Sequence, residues 1–152
     1  MITEENIKLV QNSWLVIVGK ANEAGQIFYD YLFRNNPELR YLFPTDTRSQ
    51  NRKLIMAIAL IVNKIERMEN IHAEITWLAS KHLAYGVEVK HFVPFKEAFM
   101  YMIEQVLSSE DFWDRTLQNA WEVVFSEISQ AIIVAMQNLE SQKQIARIKI
   151  KL

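Results

Sequence analysis

Apolar residues along this chain recur mostly at steps of three and four, which is the spacing of one face of an α-helix, so the pattern predicts an all-helical protein. The first helix opens after Thr3 with acidic residues in its first turn, buries Ile7, Val10, Trp14 and Ile17, and ends at Gly19. A second is predicted from about Asn22 to Arg34, carrying Ile27, Phe28, Tyr31 and Leu32. Tyr29 and Phe33 lie one turn apart there on a further inward surface. Pro37 starts a short turn that Pro44 closes, and residues 44–49 read as a loop or helix entry. A long helix to about Met68 keeps Leu54, Ala57, Ile58, Ile61, Val62 and Ile65 in phase. Residues 69–73 join it to a helix carrying Trp77, Leu78, His82 and Tyr85, stopped by Gly86. Another opens at Phe92, with Pro94 in its first turn, and runs to about Leu107 with Phe92, Phe95, Phe99 and Met102 or Ile103 inward. Ser108 to Asp111 read as the start of a long final helix marked by Trp113, Leu117, Trp121, Val124, Ile128, Ile132 and Met136.

Composition narrows what such a bundle can do. A chain of 152 residues is most simply one domain, large enough to bury about 70% of its unfolded surface. No uncharged run is long enough to span a bilayer and the first residues are too polar for a signal peptide, so a cytoplasmic protein is expected. A net charge of -1 suggests no nucleic-acid partner. Without cysteine there are no disulfides, thiolate metal sites or thiol nucleophiles, and three histidines with no HxxxH or HExxH spacing make a protein-built zinc site unexpected. Gly and Pro, three of each, are expected only as punctuation. The globular domain is expected over residues 1–140. Residues 141–152 form a basic tail or an extension of the last helix, with four basic residues and no acid from Lys143 onward.

Three polar residues fall where an apolar stripe predicts the interior. Leu78 and His82 are four apart and share a face, which puts one imidazole among apolar neighbours beside the break at Gly86. Such a histidine is either a core residue satisfied by backbone or an axial metal or haem ligand. Gln50 lies one turn before Leu54 on the same stripe and needs a hydrogen-bond partner there, and Tyr29 carries a phenol inward.

The order and spacing of these features resemble the globin family over roughly Glu4 to Met136. The matching stretches are Phe28-Tyr29, Asn36-Pro37-Glu38-Leu39, Leu42-Phe43, Gln50 with Arg52-Lys53-Leu54, Lys81-His82, Tyr85-Gly86-Val87 and His91-Phe92. The chain resembles bacterial single-domain haemoglobins and the haem domain of flavohaemoglobins, with neuroglobin-like features from Ala79 to Val87. The resemblance implies an all-α globin fold of about seven to eight helices around haem b, iron protoporphyrin IX. It makes His82 the proximal ligand, Phe43 the aromatic wedged against the porphyrin, and Tyr29, Gln50 and Leu54 the distal pocket. Lys53 and His91 are in position to reach a propionate, or else belong to the solvated surface. The carbonyl of Leu78 can fix the imidazole tautomer, and Leu54 and Val87 supply dry walls.

The same resemblance implies a pentacoordinate iron that binds oxygen, nitric oxide and carbon monoxide, with the phenol and carboxamide as donors to the ligand. Phe92 stands where flavohaemoglobins have a proximal tyrosine, and Gln137 and Asn138 near where they have a glutamate. These departures weaken any peroxidase-like proposal, and nitric oxide dioxygenation would need a separate reductase. The alternatives are a haem-based gas or redox sensor signalling to a partner protein, and a haem-free interaction module. A monomer or weak homodimer is expected.

Overall fold

A computed structural model describes residues 1–151, and among these there are six α-helices, three short 3-10 turns and no strands. Helix α1 spans Glu4–Val18, and its start is fixed by reciprocal bonds between Thr3 and Asn6, each side chain accepting from the other's backbone N–H. Helix α2 covers Ala21–Asn35, and a 3-10 turn, Pro37–Leu42, leads to α3 at Thr47–Lys64. The Asp46 carboxylate caps α3 by accepting from the Ser49 N–H at 2.9 Å. A second 3-10 turn, Met68–Ile71, precedes α4 at His72–Ala84, and a third, Val89–His91, precedes α5 at Phe92–Ser109. Helix α6 runs from Arg115 to Lys151, about 55 Å of continuous helix.

Two expected boundaries move. The third helix stops at Lys64 rather than near Met68, because Arg67 is extended and the chain must turn there to bring Ile65, Ile71 and Ile75 into one core. Ser108 to Asp111 do not open a helix. Burial of Ile103, Val106 and Leu107 carries α5 through Ser109, whose hydroxyl donates back to the Val106 carbonyl. Asp111 then takes φ 58, and Asp114 caps α6 by accepting from the Leu117 N–H at 2.8 Å. Trp113 therefore precedes the last helix instead of belonging to its stripe.

The helices bury one another across the chain rather than in sequence order. Helix α2 packs on α5, with Phe28 edge-on to Phe95 at 5.0 Å and Tyr31 stacked on Tyr101 at 4.4 Å. Helix α1 lies on α6, where Trp121 is buried and its indole N–H donates to the Ser13 hydroxyl at 2.9 Å. Helix α3 leans on α1 and α2, while α4 leans on α6. Helices α3 and α4 are thus held by different neighbours and are not among the pairs that pack closely on each other. Long side chains bridge between them at two places: Lys64 pairs with Glu74 at 2.6 Å, and Lys53 reaches to 6.0 Å from the Tyr85 ring centre. Beyond Glu140 α6 leaves the body, and its residues to Lys151 are exposed, Ile145, Ile148 and Ile150 included. Leu152, the last residue of the tail, lies outside the described residues.

Candidate functional site

The α4 side of the space between α3 and α4 is organised by His82. It occupies the last full turn of α4, where the carbonyl of Leu78, one turn back, lies 2.6 Å from Nδ1. A carbonyl only accepts, so Nδ1 carries the proton and Nε2 keeps its lone pair. Nε2 makes no hydrogen bond among the described residues. Burial holds the imidazole below its ordinary pKa of 6.5, partly offset by the Leu78 bond, so the ring is neutral at pH 7. Phe92 stacks against it with ring centres 6.0 Å apart.

Gly86 makes this turn possible. It has φ +82, a conformation that L side chains resist, and it lets the chain fold back so that the Val87 N–H donates to the His82 carbonyl at 2.9 Å. Val87 is thereby brought half-buried beside the imidazole turn. His91, four residues on, is buried rather than solvated, and its Nδ1 accepts from the Glu88 N–H at 2.9 Å. Trp77 of α4 and Tyr85 just past its end are both exposed, with Lys81 over the Trp77 ring and Lys53 reaching toward that of Tyr85.

The opposite side is built from α2, the first 3-10 turn and the start of α3. Tyr29 is 3% exposed and sits in an aromatic cluster with Phe33 and Phe43, at 5.8 and 5.5 Å between ring centres. Its hydroxyl donates to the backbone carbonyl of Gln50 at 3.1 Å. Burial pushes the phenol up to about 12, with a smaller opposing pull from the Gln50 side chain, so it stays protonated and remains a donor at pH 7. The Gln50 carboxamide oxygen in turn accepts from the Thr45 hydroxyl. Leu54 is buried one turn further along α3, while Ala57 and Ile58 of α3, Leu83 of α4 and Phe43 are only half-buried although they adjoin the core. Lys53 is exposed at the rim.

The structure therefore brings His82, Leu78, Val87 and Phe92 together on one wall and Tyr29, Phe43, Gln50 and Leu54 on the other. Lys53 lies at the edge and His91 is tied into the turn before α5. A flat apolar group carrying a metal fits this arrangement. The half-buried apolar side chains offer it two faces, and the lone pair of His82 Nε2 offers one coordination position. One imidazole alone does not satisfy a metal, so the group must bring its other ligands with it.

Three contributors were not read from the sequence. Thr45, Asn51 and Gly25 all lie near Gln50, and Gly25 stands inside α2 rather than at a turn, against the expectation that glycine here only punctuates. A glycine in a helix interior costs about 1 kcal/mol relative to alanine, which was the available signal that another element comes close there.

These features define a helical protein with one half-buried imidazole held in its tautomer on α4, and a buried phenol bonded to the carboxamide-bearing first turn of α3. The family model for globins matches residues 26–132, most of the chain, and the protein belongs to the globin family. It is similar to an uncharacterised globin-like protein of Aquifex aeolicus, 26% identical over 93% of this chain and 99% of that one. It is also similar to a Gossypium hirsutum protein named as an anaerobic nitrite reductase, 26% identical over 90% of this chain and 94% of that one. Among solved structures, a bacterial globin from Campylobacter jejuni superposes with a TM-score of 0.81 at 23% identity, covering 91% of this chain and 99% of that one. The chain also matches flavohaemoproteins, spanning about a third of their length.

Proposed function

We propose that this protein binds haem b between α3 and α4 and uses it to hold small diatomic gases, oxygen above all, with nitric oxide and carbon monoxide as further ligands. The observation that carries this reading is the state of His82: neutral, fixed in one tautomer by the Leu78 carbonyl, and with Nε2 unengaged among the described residues. Bound there, haem would supply an iron able to bind a diatomic gas. His82 would hold the iron, and Phe92, stacked on the imidazole, limits rotation of the ring. Phe43, Leu54 and Val87 would line the porphyrin and keep water out. Lys53, exposed at the rim, would meet a propionate, and His91 would have only Nε2 to offer one, a nitrogen that lies 3.9 Å from the Glu88 carboxylate.

On the gas side, the Tyr29 hydroxyl needs only to rotate off the Gln50 carbonyl to donate elsewhere, and it stays protonated while doing so. A hydrogen bond to a partly charged acceptor contributes about 1.5–3 kcal/mol, which is about a ten- to hundredfold slower release. Strong retention favours reaction over storage, and we assign nitric oxide dioxygenation as the reactive role. The nitrite reduction named for the cotton relative shares its need for an electron donor. That donor would be a separate reductase, a cytoplasmic partner in our reading. Among the described residues no helix is long and apolar enough to cross a membrane.

Titration of the protein with haem tests the reading. A Soret band saturating at one haem per chain is expected, and His82→Ala is expected to abolish it. A broad, non-stoichiometric band unchanged by that substitution would sink the proposal. A second reading, a haem-based gas or redox sensor, draws on the exposed basic stretch of α6 beyond Glu140. It requires that deletion of residues 143–152 remove a partner whose binding changes with oxygen.

A further inference from the structure

Ala21, Gly25 and Tyr29 lie at steps of four on one stripe of α2, and that stripe meets the first turns of α3 through three successive contacts. The Tyr29 hydroxyl donates to the Gln50 carbonyl at 3.1 Å. The Asn51 amide nitrogen donates to the Ala21 carbonyl at 3.1 Å. Between them the Asn51 carboxamide occupies the place a side chain at Gly25 would need, because a Cβ built there falls 1.7 Å from Asn51 Oδ1 and 2.0 Å from Cγ. Asn51 is 9% exposed, and its Oδ1 is buried with no hydrogen-bond partner among the described residues.

A buried amide with one end unsatisfied is a poor choice for filling space, since a small apolar residue would avoid the cost. What the carboxamide does provide is thickness. Gly25 presents bare backbone, so at this point of the stripe no α2 side chain would keep α3 away if Asn51 were small. The one anchored end, on the Ala21 carbonyl, fixes where that thickness sits.

We propose that Asn51, seated on the bare Cα of Gly25, is a positioning residue: it sets the separation of α2 and α3 and thereby holds the Gln50 carbonyl at bonding distance from the Tyr29 hydroxyl. Its consequence for gas binding rests on the haem reading above, whereas its effect on the helix crossing does not. The apo chain is therefore the first sample to test.

Thermal melts followed by circular dichroism separate the outcomes. Gly25→Ala is expected to lower the midpoint by about 5–10 °C, and adding Asn51→Ala to it is expected to recover most of that loss by exchanging one excluded volume for another. A Gly25→Ala protein as stable as the parent, or one that Asn51→Ala does not rescue, overturns the spacer. Urea unfolding of Tyr29→Phe then tests positioning. The unfolding constant should change several-fold in the parent but less than about twofold in an Asn51→Ala background, because the phenol has already lost its acceptor there. Equal changes in the two backgrounds overturn the positioning role. With haem present, Asn51→Ala should change oxygen release by removing the carbonyl that competes with the gas for the Tyr29 hydroxyl, and should have no effect when added to Tyr29→Phe. Multiplying factors would argue that the two residues act separately.

Discussion

The two walls of the candidate pocket are held by different kinds of contact. On the α4 side the decisive bond joins residues four apart in one helix, His82 to the Leu78 carbonyl, and the turn that follows is made by a single glycine. On the α2–α3 side the two bonds that join the helices are long-range, Tyr29 to Gln50 spanning 21 positions and Asn51 to Ala21 spanning 30, although Thr45 to Gln50 spans only 5. The first wall keeps its geometry as long as one helix turn survives. The second is only as good as the packing of α2 on α3 and α5, so its donors are the tunable part of the molecule.

The contrast is broken most severely at its local end. Loss of the imidazole in His82→Ala is expected to eliminate stoichiometric haem uptake, read from the Soret band, while leaving the helical circular dichroism spectrum intact. Next in size, Phe28→Ala removes a fully buried ring that touches both Tyr29 and Phe95, and is expected to cost about 3–5 kcal/mol in urea unfolding. The comparison sharpens if that variant, once loaded with haem, releases oxygen faster yet keeps the Soret position set by His82. Equal disturbance of both properties would mean that the two walls are not independent.

Tyr29→Phe comes third, with oxygen release expected to rise at least about tenfold by stopped flow. The same substitution has a signature in pH. The folded phenol titrates near 12 against about 10 when unfolded, so its stabilising contribution is complete below pH 10 and is lost as pH rises from there toward 12. The parent should therefore lose stability over that interval more steeply than Tyr29→Phe, as followed by urea midpoints. Smallest is Thr45→Val, which removes the hydroxyl bonded to the Gln50 carboxamide. A change in oxygen release of under about tenfold is expected, corresponding to one neutral hydrogen bond. An effect as large as that of Tyr29→Phe would make Gln50 the principal donor.

Most of the fold was legible because helical periodicity is local. The stripes of α1, α2 and α6, the stop at Gly86 and the opening of α5 at Phe92 follow from neighbours within a turn or two. The errors fell where a local cue competed with burial further away. The Ser-Ser-Glu-Asp stretch has the residues of a helix start, but Ile103, Val106 and Leu107 needed one more turn of α5 to reach the core. Gly25 and Asn51 were overlooked for the same reason, because each explains the other only once α2 and α3 cross.

By itself the sequence determined which side chains share a helix face, His82 with Leu78 and Gln50 with Leu54, since three- and four-residue spacing assigns side chains to faces before any helix meets another. Only the tertiary structure decided that the phenol rests on the Gln50 backbone, that the carboxamide turns toward Thr45, and that Asn51 fills the gap left by Gly25. Those outcomes depend on the distance and angle between helix axes, which emerge from the packing of the whole core.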